Sequence, residues 1–301
     1  MMPMPDSAIT TPLGDWRRRI DAALVARLDS LTGTEPTLLA AMRHAVLTGG
    51  KRLRPLLTYA SGYAAGADAP CGDAAAMAVE LLHAYSLVHD DLPAMDDDTL
   101  RRGQPTVHVA FGQAHAVLAG DALQALAFQT LAEAALPGDT RAALVVELAR
   151  AAGADGMCGG QALDITATGQ TGALTLDALE RLHAMKTGAL LRAAVRMGAL
   201  AAGADITLRA RLDQYAQALG LAFQIRDDLL DIEGDSATLG KTSGKDQAQD
   251  KATFPALIGI AASRQRVLEL AEAMHHALDG VPARQRAPLD ALARLAVERD
   301  H

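Results

Sequence analysis

Apolar residues recur at Trp16, Ile20, Leu24, Leu28 and Leu31, the spacing that lines one face of an α-helix, with Arg17 to Arg19 and Asp21 on the other faces. A second predicted helix opens at Pro36, turns Leu38, Leu39, Met42 and Val46 inward, and stops at Gly49-Gly50, where the chain can take positive φ. The same period predicts further helices over about 55–66, 72–91, 112–135, 139–159, 176–202, 206–232, 254–278 and 284–299, separated by Gly, Pro and Asp-rich turns. No fixed-period repeat or low-complexity linker divides them. A single domain over residues 1–301, with 1–12 as a flexible tail, is therefore the simplest organisation. One connection is longer than helix packing requires: Glu233 to Ala252 carries Gly234, Gly240, Gly244, Lys241, Lys245 and Lys251. Its length suggests a lid.

Composition sharpens this into an all-α reading. Half of the 301 residues are hydrophobic, dominated by Ala and Leu, while aromatics are only 3%, a balance that favours helix over sheet. The formal net charge of -8 provides no global basic field for DNA or RNA. Cys71 and Cys158 are the only cysteines, too few for a disulfide framework or a thiolate zinc site, which fits a reducing cytoplasm. The start, MMPMPDSAIT, lacks a basic segment followed by an apolar run, and no stretch approaches the roughly 18 apolar residues of a membrane span.

The chemistry concentrates in two acidic clusters. Asp90-Asp91-Leu92-Pro93-Ala94-Met95-Asp96-Asp97-Asp98 places five carboxylates in nine residues directly after an apolar helix. Alone, it could be a solvated acidic loop. A second cluster, Asp227-Asp228-Leu229-Leu230-Asp231, ends another helix, with Asp227 and Asp231 four residues apart on one face, where like charges destabilise. Cations would relieve both, and carboxylate oxygens without Cys or paired His favour Mg²⁺ or Mn²⁺ over zinc. Because Mg²⁺ commonly bridges carboxylates to phosphate, the basic groups acquire meaning. Gly49-Gly50-Lys51-Arg52-Leu53-Arg54-Pro55, Arg101-Arg102-Gly103, and Lys186-Thr187 with Lys241 and Lys251 can each receive phosphate oxygens, although each alone could be ordinary surface charge.

These residues resemble the trans-isoprenyl diphosphate synthases, most closely the bacterial farnesyl diphosphate synthase branch. Gly50-Lys51-Arg52-Leu53-Arg54-Pro55 is similar to that family's GKRLRP motif, and Asp90 to Asp96 to its DDxxxxD motif, followed by Leu100-Arg101-Arg102-Gly103. Gly120-Asp121-Ala122-Leu123, Gly160-Gln161 with Asp164, Lys186-Thr187-Gly188, Phe223-Gln224, Asp227-Asp228-Leu229-Leu230-Asp231 and Gly240-Lys241 follow in order. The resemblance covers about nine-tenths of the chain. It departs at Thr99, where many relatives are acidic, and at Arg226, where Gln is also familiar; Arg226 alters the charge beside Asp227.

The resemblance implies a helical bundle of the isoprenoid synthase type around a central active-site cavity, working as a homodimer. It implies three Mg²⁺ ions, with Mn²⁺ as the alternative, held directly by Asp90, Asp96 and Asp227 and supported by Asp91, Asp228 and Asp231. Arg101, Lys186, Thr187, Gln224, Lys241 and Lys251 would contact the allylic diphosphate, and Gly50, Lys51, Arg54, His83 and Arg102 would hold isopentenyl diphosphate. Asp90, Asp96, Arg101, Lys186, Thr187, Gln224, Asp227 and Lys241 would be catalytic. The implied reaction ionises the allylic substrate (dimethylallyl or geranyl diphosphate), joins the cation to isopentenyl diphosphate, and passes the lost proton to the released diphosphate. Tyr85 and Ser86, five and four residues before Asp90, would set product length about one helical turn below the metals. Tyr85 favours farnesyl diphosphate, with geranylgeranyl diphosphate as the alternative product. A class I terpene cyclase would need one diphosphate site and usually many aromatics, and a non-catalytic regulatory subunit would lose ligands that are intact here.

Overall fold

A computed structural model describes residues 12–167, 174–233 and 252–298. Lys241, Lys251, Gly240 and the expected lid between Glu233 and Ala252, together with residues 1–11 of the expected tail, lie outside the described residues, apart from the segment's two ends. The first four helices are α1 (Leu13–Asp29), α2 (Pro36–Leu47), α3 (Leu53–Ala64) and α4 (Asp73–Asp90), with a 3₁₀ turn at Ala69–Gly72 before α4. A small hairpin follows, β1 (Leu100–Arg101) and β2 (Gln104–Pro105), then α5 (Val107–Phe111), α6 (Gln113–Ala132), α7 (Gly138–Ala152), α8 (Met157–Ala167) and α9 (Leu176–His183). A π-turn at Ala184–Gly188 leads into α10 (Ala189–Ala201), α11 (Ile206–Glu233), α12 (Phe254–Ile258), α13 (Ile260–Ala277) and α14 (Ala283–Val297).

The amphipathic reading of α1 holds: Trp16, Ile20, Leu24 and Leu28 are buried. In α2, Pro36 opens the helix, and the Glu35 carboxylate caps it by accepting from the Thr37 and Leu38 amides at 3.0 and 2.8 Å, satisfying donors with no partner inside the helix. Helix α4 is buried on nearly every face, including Ala75, Ala76, Val79, Leu81, Leu82, Ala84 and Val88, which makes it a central helix. It packs along α6 and against α3, while α3 packs on α10 and α11 on α13. The α3–α10 contact is close because Gly198 carries no side chain: a Cβ there would lie 2.0 Å from the Thr58 carbonyl oxygen.

Three predicted helices are interrupted. The segment expected over 139–159 breaks between α7 and α8, where Gly153 is extended and a Cβ on Gly156 would lie 2.2 Å from the Ala151 carbonyl oxygen. Residues 176–202 contain the π-turn, and 254–278 breaks at Gly259, whose φ is 84°. The hairpin was not foreseen. Its two-residue turn, Arg102-Gly103, has φ of 53° and 74°, the positive pair required by a tight antiparallel connection. Leu100 pairs with Pro105 and Arg101 with Gln104.

Candidate active site

The first aspartate cluster begins at the C-terminal end of α4, where the chain leaves the helix and folds back. The Asp96 amide donates to the Asp90 carbonyl at 2.9 Å, and the Met95 and Asp97 amides donate to Leu92 at 2.8 and 3.2 Å. These bonds return Asp96 to the backbone of Asp90. The Asp90 carboxyl is raised to about 6, first by burial, with Lys186 opposing and Asp96 adding repulsion. Burial therefore works against a charged Asp90, and repulsion from Asp96 adds to it. Asp91 turns away into the core, 3% exposed. Arg101 Nε lies 2.8 and 3.0 Å from its two oxygens, and Nη2 lies 2.5 Å from Oδ1.

The second cluster lies near the C-terminal end of α11, and helical geometry separates its members. Asp227 and Asp231 are half-buried on one face, while Asp228 points inward, 3% exposed. Asp228 Oδ1 accepts from Gln224 Nε2 at 3.0 Å, and Oδ2 accepts from the Phe254 amide at 2.9 Å. This second bond ties α11 to the first residue of α12. His183 stacks on the Phe254 ring at 5.7 Å, and its Nε2 lies 4.0 Å from Asp228 Oδ2 without a hydrogen-bond partner. Burial holds the imidazole down to about 4.

Between the clusters stands the π-turn, a backbone irregularity that often marks a functional position. It presents Lys186 and Thr187 side by side. Lys186 Nζ contacts Asp164 Oδ2 at 2.5 Å, and the Thr187 hydroxyl donates to Gln224 Oε1 at 3.2 Å. Lys186 also stabilises the charged form of Asp90, which brings the π-turn and the end of α4 into one electrostatic neighbourhood. The turn is held close to α8 because Gly160 lacks a side chain: a Cβ there would lie 2.2 Å from the Lys186 amide nitrogen.

A cationic cradle adjoins the first cluster. Arg54 Nε is buried without a hydrogen-bond partner. Burial lowers this guanidinium to about 10, with Glu80 opposing and Arg102 reinforcing the shift. His83 is held well below its ordinary range by burial and by Arg54, Arg102, Arg101 and Arg52. A partly buried arginine whose Nε is enclosed and unmatched, beside further arginines, is suited to an anion. The hairpin turn brings Arg102 Nη1 against the Gly49 carbonyl. Gly50 leaves room for it, since a Cβ there would lie 2.7 Å from Arg102 Nη1. Lys51 is exposed at the rim of the same sequence motif.

Charge alone singles out Arg52 no less than its neighbours, but the structure gives it another task. Its guanidinium is buried and donates to Asp21 at 2.8 Å, Glu80 at 2.8 Å and the Val46 carbonyl at 2.9 Å. It neutralises Glu80 within α4. Sequence reasoning also passed over His183 and His89. His89 Nε2 is 3.1 Å from the Val117 carbonyl, and a Cβ on Gly120 would lie 2.1 Å from that nitrogen. This gives Gly120 of the Gly-Asp pattern a steric role. Below the first cluster, Tyr85 is buried with its hydroxyl 3.4 Å from Cys158 Sγ and its ring edge-on to His89. Ser86 Oγ donates to the His83 carbonyl at 2.8 Å.

The donor chemistry at Asp90, Asp96, Asp227 and Asp231 fits magnesium, because all are hard carboxylate oxygens. Among the described residues, no three His, Cys, Asp or Glu side chains gather into a cage for an ion. Carboxylate oxygens and the phosphate oxygens of a ligand are together the donors that magnesium commonly takes.

Residues 35–282 match the polyprenyl synthetase family. The chain belongs to that family. It is 52% identical over 266 residues to the farnesyl diphosphate synthase of Escherichia coli (strain K12), covering 86% of this chain and 88% of that one. Identity to the farnesyl diphosphate synthase of Geobacillus stearothermophilus is 44% over 292 residues, covering 96% and 97% of the two chains. A solved FPP/GFPP synthase from Zymomonas mobilis superposes with a TM-score of 0.84 at 38% identity, over 96% of this chain and 98% of the other. The all-α architecture of this polyprenyl synthetase is thus shared with solved relatives.

Proposed function

We propose that this polyprenyl synthetase is a magnesium-dependent prenyltransferase that condenses isopentenyl diphosphate with dimethylallyl and then geranyl diphosphate, releasing diphosphate and giving (2E,6E)-farnesyl diphosphate. The observation that carries the reading is spatial: the π-turn bearing Lys186 and Thr187 is linked electrostatically to Asp90 and by hydrogen bonds to the α11 cluster, while Arg54, His83 and Arg102 form a second anion cradle beside the first cluster. Two diphosphates need two such sites. The second site disfavours a terpene cyclase, and the intact aspartates disfavour a regulatory subunit.

In this reading Asp90, Asp96 and Asp227 hold the metals, expected to number three, with Asp91, Asp228 and Asp231 in support. Bound magnesium would supply positive charge against the developing negative charge of the departing diphosphate. Arg101, Lys186 and Lys241 add fixed positive charge there, and Lys251 contacts the same allylic diphosphate. The Thr187 and Gln224 oxygens face the allylic cation, where their dipoles favour positive charge. Gly50, Lys51, Arg54, His83 and Arg102 orient isopentenyl diphosphate so that its double bond meets the cation. The released diphosphate takes the proton lost in forming the new double bond, so no protein base is required.

The chain functions as a single domain and a homodimer in the cytoplasm. Among the described residues, no helix is long and apolar enough to cross a membrane. Val109, Val117 and Leu118 on and before α6 are 51%, 41% and 53% exposed, an apolar surface suited to a second copy. Mass measurement by light scattering should give twice the 31.4 kDa chain mass, and Leu118→Lys should lower it; a monomeric wild type contradicts the dimer. Incubation with Mg²⁺ and both substrates tests the reaction, with product identification by mass spectrometry after dephosphorylation.

A further inference from the structure

We propose that Asp228 is a positioning residue that fixes the direction of a hydrogen-bond relay, Thr187 to Gln224 to Asp228, so that oxygen rather than N–H is presented to the allylic cation. The inference rests on the functional reading above and deepens it at one site.

A side-chain amide can be turned end for end, and its direction follows from its partners. Gln224 Nε2 donates to Asp228 Oδ1 at 3.0 Å, so its NH₂ group is turned toward Asp228 and its carbonyl oxygen toward the π-turn. The Thr187 hydroxyl then donates to that carbonyl at 3.2 Å, which directs its proton away from the substrate and leaves its oxygen lone pairs for the cation. Each group hands the next a direction.

Asp228 is itself held. Its Oδ2 accepts from the Phe254 amide at 2.9 Å, and the carboxylate is 3% exposed, so it is anchored on both sides while Asp227 and Asp231 share the more exposed face. If residue 228 could donate, Gln224 could reverse: its NH₂ would face Thr187, the hydroxyl proton would turn outward, and two positive dipole ends would oppose the cation.

Asp228→Asn makes that change, because Asn can accept from Phe254 with Oδ1 and donate to Gln224 with Nδ2. Turnover should fall about 100-fold, comparable to losing one preorganised dipole at a reacting centre. The KM for isopentenyl diphosphate should stay within about 3-fold on the same account. In a Gln224→Leu background, the same substitution should cost less than about 3-fold, since residues acting through one another are not additive. A reciprocal variant, Asp228→Asn with Gln224→Glu, puts the acceptor at 224 and the donor at 228, returning an oxygen to Thr187. It should be at least about 10-fold faster than Gln224→Glu alone, in which two carboxylates face each other, and it decides the question even if Asp228→Asn alone is unstable. Equal losses in both Gln224 backgrounds, or a double variant no faster than Gln224→Glu, would overturn the relay. A wild type without turnover would instead overturn the functional reading on which it rests.

Discussion

Arg101 grips both carboxylate oxygens of Asp91, at 2.8 and 3.0 Å from Nε, although the two residues are ten positions apart and Asp91 is 3% exposed. The pair clamps the β1 strand to the end of α4. Removing one partner leaves the other buried and unmatched, which typically costs about 3–5 kcal/mol; some exposure of Arg101 moderates this. Asp91→Asn should therefore lower unfolding free energy by about 2–3 kcal/mol in denaturant titration. A loss below about 0.5 kcal/mol would place the pair among inconsequential surface contacts.

Gly160 supports a second prediction. A methyl group there meets the Lys186 backbone at 2.2 and 2.6 Å, and backbone cannot swing aside as a side chain end can. Gly160→Ala should destabilise by about 1–3 kcal/mol and lower turnover by at least about 10-fold by displacing Lys186 and Thr187. Gly33→Ala, with nothing within 4 Å of the added Cβ, should leave both unchanged. Equal behaviour of the two variants would refute the close-packing account.

His183 gives stability a pH dependence. Its folded-state value is about 4, pushed down chiefly by burial from 6.5. The unfolded chain therefore binds the extra proton first on acidification. This contribution is fully present above about pH 6.5, declines as pH falls toward 4, and levels off below it. Between pH 7 and pH 5 the loss is at most about 2 kcal/mol. Thermal unfolding of His183→Phe, which retains an aromatic face for Phe254, should be less acid-sensitive over that range. Parallel curves for variant and wild type would contradict a buried neutral His183.

Tyr85 is buried beneath the first cluster, with its hydroxyl 3.4 Å from Cys158. Tyr85→Ala removes bulk one turn below Asp90 and should shift product toward geranylgeranyl diphosphate, read by chromatography of the dephosphorylated alcohols. An unchanged farnesyl product would assign the length limit elsewhere.

Much of this was legible in the sequence because helix period and carboxylate spacing are local properties. Trp16, Ile20, Leu24 and Leu28 are buried as their spacing predicts, and the Pro36 start of α2 is visible in one residue. Breaks at Gly153–Gly156 and Gly259 were less readable, since single glycines within Ala-rich runs are compatible with continued helix. The hairpin was hidden because its tight turn puts Arg102, not glycine, at a positive φ of 53°. At the site, helical spacing already put Asp227 and Asp231 on one face, but the partners of Asp228 were not readable: it turns inward onto Gln224 and the Phe254 amide, and Phe254 is 26 residues away in sequence. Likewise, Arg52 and Arg54 differ only in the partners that folding supplies.

The most direct test is product formation from purified protein with Mg²⁺, isopentenyl diphosphate and geranyl diphosphate, followed by dephosphorylation and mass spectrometry, with Asp90→Ala alongside. The account predicts farnesol from the wild type and a loss of at least about 100-fold in Asp90→Ala, the scale expected when charge stabilisation at a reacting centre is removed. Absence of any condensation product from folded wild-type protein would contradict it.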